Sequence, residues 1–262
     1  MAVNEPSTLQ WLKSLAEPVI ILTMAMSYYI DANIRAILRG QILAPFKNAQ
    51  QLRDEAFGKF WVAFSSNRED PQPDHPSPTK DSESNADSPL NPNISTQVQS
   101  SSDLIPPVLA HASGVVLDVG PGTGTQMPLL KSAEPTIKAI YGAEPCAGLH
   151  AELRKRAALE GLSSKYTVLP CSVVGRDLGV QLERVGLLSG DRSGDGGVFD
   201  TIITVRVLCS VPDFENTVAE LYALLKPGGK MLVVEHVVNP WRTAKGSILA
   251  RVLQGVYHFL GW

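Results

Sequence analysis

Residues 115–126 read V-V-L-D-V-G-P-G-T-G-T-Q: a β-branched run, an acid at Asp118, then glycines at 120, 122 and 124. This pattern predicts a buried strand that breaks into a glycine-rich turn and opens a helix. Gly120 and Gly122 permit a tight bend and keep side chains from standing between backbone and ligand, while the free N–H groups of the next helix suit an anionic group. The stretch reads as a nucleotide-cofactor loop, with Asp118, Gly120, Pro121, Gly122 and Gly124 as its candidate contacts.

The glycine spacing is G-x-G-x-G. A dinucleotide fingerprint, G-x-G-x-x-G, would need its third glycine where Thr125 stands, so S-adenosylmethionine fits this loop better than NAD or a nucleotide sugar. Glu144 follows the apolar run 137–143 (I-K-A-I-Y-G-A), twenty residues after Gly124, where an acid can accept both ribose hydroxyls. Pro145 follows it. A third element, 166–170, ends near Cys171 and Ser172. Further on, 199–207 (F-D-T-I-I-T-V-R-V) has the β-branched content of a buried strand, and 224–235 reads as helix end, turn and strand.

Extended outward, the pattern is strand 115–119, helix 124–131, strand 137–143, helix 147–160, strand 166–170, loop, strand 199–205, helix 213–225, strand 230–235 and helix 241–260. That alternation predicts an α/β fold, a doubly wound, mostly parallel Rossmann-like sheet with helices on both faces and its ligand at the carboxyl ends of the strands. The residues after 235 carry Ile248, Leu249, Val252, Leu253, Val256, Tyr257 and Leu260 at helical spacing. One amphipathic helix uses most of them, so the expected sheet lacks a C-terminal antiparallel hairpin and leaves an edge strand to be covered.

Three segments divide the chain. Residues 1–64 form a helical N-terminal extension, a membrane-surface anchor or lid; 65–107 form a linker; and 108–262 form the cofactor-binding domain. From Glu69 to Asp103 the linker holds seven acids against the single base Lys80, so it has too little apolar surface to offset its ordering entropy. The apolar run 19–30 falls short of the roughly 20 residues a bilayer crossing needs, so residues 18–38 read as an interfacial helix if they meet a membrane. Phe57, Phe60, Trp61 and Phe64 form an aromatic stripe on one helical face, for packing against the catalytic domain or for membrane or substrate contact. A second polar insertion, 186–197, is glycine-rich and reads as a surface loop.

Composition narrows the function. With 23 Lys plus Arg against 26 Asp plus Glu, a net charge of −3 and no basic run, the chain has no footprint for a nucleic acid backbone. Cys146, Cys171 and Cys209 have neither metal-ligand spacing nor an even count, which argues against zinc and against a disulfide framework. No secretory signal opens the sequence, so the expected place is intracellular, cytoplasmic or peripherally membrane-associated.

At these residues the chain resembles the class I S-adenosylmethionine-dependent methyltransferases. The matching pieces are L-D-V-G-P-G-T-G at 117–124, Y-G-A-E-P at 141–145, F-D-T-I-I-T at 199–204 and L-L-K-P-G-G-K-M-L-V-V-E-H at 224–236. The V-L-C-S-V at 207–211 and the Glu235-His236 pair are similar to the small-molecule branch, nearest to the membrane-associated thiol methyltransferase-like proteins and their fungal relatives. The resemblance implies a small-molecule acceptor (thiol, amine or hydroxyl) in natural-product or lipophilic-metabolite chemistry. It places Asp118 and the glycine loop at the amino-acid end of the cofactor, and Arg206, Val207, Leu208 and Glu235 at the acceptor. His236 is the candidate general base, or else a structural histidine. The superfamily usually sets an acid just past the third strand, where this chain has Cys171 and Ser172, so adenine recognition would fall to Ser172 or to backbone groups. A non-catalytic scaffold that binds cofactor or docks on a membrane is the rival reading.

Overall fold

In the computed structural model, which describes residues 8–69, 101–188 and 197–235 with positions 248, 252 and 255, the run around Asp118 becomes the middle strand of a parallel sheet. The strands are β1 (Gly114–Val119), β2 (Ile137–Ala143), β3 (Tyr166–Leu169), β4 (Phe199–Val205) and β5 (Leu225–Val234), ordered β3-β2-β1-β4-β5. All four pairings are parallel. Strand order reverses between β1 and β4, so a crevice opens at their carboxyl ends, the place where such sheets take ligands.

The central strands β1 and β4 bury both faces, which is why their sequences show continuous rather than alternating hydrophobicity, whereas the edge strand β5 leaves Val233 exposed between buried Leu232 and Val234. Val116, Ile140 and Ile203 belong to the core on one face, with Met127, Leu130 and Leu153 from the covering helices. Leu117, Val119 and Ile202 belong to the other, with Leu178, Leu182 and Leu221.

Along the chain the helices are α1 (Thr8–Leu38), α2 (Ala44–Lys47), α3 (Ala49–Glu69), α4 (Ile105–Leu109), α5 (Met127–Ser132), α6 (His150–Leu159), α7 (Asp177–Arg184) and α8 (Phe214–Ala223). α1 runs through Asp31 and Arg35 as one helix, because those residues pair with each other at (i, i+4) on its outer side while Ala32 and Ala36 pack inward with Leu52 and Ala56. No helix among the described residues is long and apolar enough to cross a membrane.

Several boundaries differ from the sequence reading. α5 starts at Met127 rather than 124, since Gly124, with φ +80°, is still part of the turn. Pairing of β5 begins at Leu225 with a register shift opposite β4, so the K-P-G-G segment is an irregular part of the strand and not a free turn before it. α7 lies in what reads as a loop; Leu178 and Leu182, one turn apart, bury its inner face. Residues 65–69 continue α3, and 101–109 are helical, so the linker narrows at both ends. Its middle, most of the 186–197 insertion, His236 and nearly all of the 241–260 segment lie outside the described residues; within the last, Ile248, Val252 and Gly255 are helical.

Candidate cofactor site

The carboxyl ends of four strands meet around a cleft of about 400 Å³, the space open to solvent included. Val119 and Gly120 line it from β1, Ala143 and Pro145 from β2, Ser172, Val173 and Val174 from β3, and Val207 with 210–212 from β4. Of the residues singled out in the sequence, Gly120, Pro145, Ser172 and Val207 meet in this one cleft. The remaining lining residues are small or apolar groups at strand ends, and only their position in the topology distinguishes them from core.

The glycine turn is shaped by close neighbours. Gly120 has φ +58° and Gly122 φ +60°, a left-handed backbone that costs a residue with a Cβ about 1–2 kcal/mol. A Cβ at Gly120 would collide with Val207 Cγ2, and one at Gly122 would lie 2.8 Å from Trp61 Nε1. Gly120 N donates to Ala143 O at 2.9 Å, tying the turn to β2.

Glu144 anchors the second loop. Its Oε2 accepts from Gly122 N at 2.9 Å and its Oε1 from Cys146 N at 2.9 Å, while His150 Nε2 lies 2.7 Å from the Glu144 carbonyl oxygen. The residue is 5% exposed. Burial pushes its carboxyl pKa up, opposed by the Cys146 and Gly122 N–H groups and by His150. Glu144 thus joins the glycine turn directly to the end of β2. Each of its oxygens keeps a second lone pair, so the acid can hold the backbone and still accept from a ligand hydroxyl. The cradle therefore fits an adenosyl cofactor: a turn closed to any Cβ, an oriented acid beside it, and an apolar cleft at the strand reversal.

Asp118 stands behind the cleft, on the face that Val116 shares. Its Oδ2 accepts from Tyr166 Oη at 2.9 Å. Tyr166 reaches it across Gly142, where any Cβ would collide with the phenol. Burial pushes the Asp118 carboxyl from 3.8 to about 6, with the Tyr166 hydroxyl opposing and the Glu144 charge adding. The folded protein therefore holds this proton more tightly than the unfolded chain. The stabilising contribution is full below pH 3.8 and is lost as pH rises through about 6. Asp118→Asn cannot ionise. Relative to wild type, its unfolding free energy is expected to fall less between about pH 4 and about pH 7, by up to about 3 kcal/mol, as chemical denaturation at the two pH values would show. Equal pH slopes in both proteins would remove this role.

Beyond β4, Glu235 Oε1 accepts from Val207 N and Leu208 N, both at 3.1 Å, and so fixes the turn after that strand. Its Oε2 is buried without a hydrogen-bond partner among the described residues. Arg206 adopts φ 55° at the head of that turn; its N donates to Val234 O and its Nη2 to Ser102 Oγ, each at 2.9 Å. Leu208 and Cys171 are core residues, and burial pushes the Cys171 thiol up to about 11. Ser172 Oγ accepts from Val174 N at 3.1 Å, which orients the hydroxyl at the cleft wall. Among the described residues no His, Cys, Asp and Glu cluster could hold a metal ion.

Residues 96–259 match the family model of the methyltransferase domain. The chain is 27% identical over 153 residues to a demethylmenaquinone methyltransferase of Thermus thermophilus, covering 58% of this chain and 60% of that protein. It is also 27% identical over 139 residues to a sterol 24-C-methyltransferase of Eremothecium gossypii, covering 50% of this chain and 32% of the other. The chain thus matches less than two thirds of the length of either relative. Among solved structures, an O-methyltransferase family protein from Burkholderia thailandensis aligns with a TM-score of 0.43 at 15% identity, over 80% of this chain and 52% of that one. With a family match across more than half of its length, and with the glycine turn and strand order described above, the chain belongs to the class I S-adenosylmethionine-dependent methyltransferases.

Proposed function

We propose that the chain transfers the methyl group of S-adenosylmethionine to a thiol, amine or hydroxyl of a small, lipophilic acceptor, in natural-product or related metabolism. The observation that carries this reading is the Gly122–Glu144 hydrogen bond, which joins the glycine turn to the acid that follows β2. Bound there, the cofactor supplies an electrophilic methyl on a cationic sulfur. An acceptor lone pair would take that methyl as the carbon–sulfur bond broke, with sulfur left as a neutral thioether and the acceptor proton lost to water or a base. The protein's part is alignment. In this proposal Gly120, Pro121, Gly122 and Gly124 shape the cofactor turn, Glu144 and Pro145 hold the ribose, and Ser172 with the backbone after Cys171 meets the adenine. Asp118 supports the turn from behind, while Arg206, Val207, Leu208 and Glu235 form the acceptor side. His236 is the candidate base.

A lipophilic acceptor is supported by the character of α1. Val19, Ile20, Met24, Met26, Ile30, Ile34, Ile37 and Leu38 are all exposed, at spacings that place them on one face. In the proposed arrangement that face rests on a membrane surface and the protein is peripherally attached. Labelled-methyl transfer to thiol, amine and hydroxyl acceptors, supplied free and in vesicles, tests both parts. Transfer to at least one class, with the protein sedimenting alongside the vesicles, is expected. Cofactor binding without transfer to any acceptor would favour a non-catalytic scaffold, and a protein that stays in the supernatant would remove the membrane.

A further inference from the structure

Helix α3 lies directly on the two loops that would hold the cofactor. A Cβ built on Gly58 would lie 3.0 Å from the Cα of Gly148, so the two backbones cross in contact, and Cys146 Sγ donates to Asp54 O at 3.4 Å. One turn further along α3, Trp61 covers Gly122. The indole is held in place by its own helix: its ring stacks on Phe57 with centroids 5.7 Å apart and packs against Phe64 at 5.6 Å. Gly122 in turn donates to Glu144. Trp61, the glycine turn and the ribose acid are therefore three consecutive layers.

Packing alone does not account for Trp61. Phe60, its neighbour on α3, is 2% exposed and fills the inward position, whereas Trp61 remains half-buried at the edge of the glycine turn. A half-open indole offers a donor and a polarisable face, which suit a heterocycle or a cationic sulfur. We infer that Trp61 is a cofactor-contact residue, and that α3 forms the roof of the cofactor site. The inference rests on the cofactor reading above and adds to it a wall that comes from the N-terminal helices, not from the sheet.

The test is a titration of the full chain with S-adenosylhomocysteine, followed by calorimetry and by intrinsic fluorescence. The sequence holds four tryptophans, 11, 61, 241 and 262, so the fluorescence change can be assigned by substitution. Trp61→Phe keeps an aromatic ring between Phe57 and Phe64 and should fold as the wild type does. It is expected to lose most of the ligand-dependent fluorescence change and to bind about threefold more weakly, and Trp61→Ala at least about tenfold more weakly. A Trp61→Phe protein with the wild-type fluorescence change and the wild-type Kd would overturn the inference, whether or not Trp61→Ala folds. A purely structural role would lower Tm without ligand and leave Kd unchanged, which also overturns it. A wild-type chain that does not bind the ligand would overturn the cofactor reading itself, and the roof with it.

Discussion

Gly120→Val is expected to weaken the binding of S-adenosylhomocysteine at least about tenfold while leaving the sheet intact. The residue sits at φ +58°, a region that a β-branched side chain adopts only with strain of about 1–2 kcal/mol. Its first side-chain carbon would run into Val207 Cγ2, and Val207 is itself a wall of the cleft. Relief requires Val207 to leave its rotamer or the turn after β4 to move, and Glu235 holds that turn through two backbone N–H groups. The collision is therefore expected to displace the glycine turn into the space a ligand needs. Isothermal calorimetry would register a loss of at least about tenfold, the equivalent of about 1.4 kcal/mol, with little change in far-ultraviolet circular dichroism. Gly175, also at positive φ but with open space where a Cβ would go, is the control. Gly175→Val should cost some stability and no cofactor affinity. Wild-type affinity in Gly120→Val would show that the cleft is not where the ligand sits.

Glu144→Ala should show the second large effect, and it combines two losses. The substitution leaves the N–H groups of Gly122 and Cys146 without their acceptor in a buried place, at about 1–3 kcal/mol for each donor that water does not reach. It also removes the acid proposed for the ribose. Glu144→Gln separates the two. A glutamine retains the volume and one acceptor oxygen, but it must point an NH2 group at one of the two backbone donors. Its Tm is therefore expected to lie between wild type and Glu144→Ala, with cofactor affinity reduced by about tenfold or more in both variants. Calorimetry on variants shown to be folded gives the answer. Unchanged affinity in Glu144→Gln would restrict Glu144 to joining the two loops.

The strands were legible because burial on both faces leaves a plain mark, a β-branched run bounded by turns, as at 114–119, 137–143 and 199–205. A glycine turn after the first strand and an acid after the second were legible as positions in the topology. α7 was not, because Asp177–Arg184 is short and carries Gly179, so the apolar spacing of Leu178, Leu182 and Val185 covers barely two turns. Nor was the start of β5, where K-P-G-G has the local chemistry of a turn while the neighbouring strand imposes pairing.

The long-range contacts were the least legible. Tyr166 meets Asp118 from 48 residues away, and only the missing side chain of Gly142 makes room for it. Glu235 reads as an acceptor-site acid, yet its observed work is to hold the backbone after β4. The aromatic stripe at 57–64 was visible as a stripe, but one helix periodicity fits a core face and a ligand wall equally well. Its docking on the glycine turn follows from α3 crossing the loop after β2 at Gly58 and Gly148, two residues whose significance exists only as a pair.

A crystal of the full chain grown with S-adenosylhomocysteine tests the central claim most directly. The expected density runs through the cleft between Gly120 and Ser172, with the ribose hydroxyls on Glu144. Density elsewhere, or an empty cleft at saturating ligand, would contradict the account.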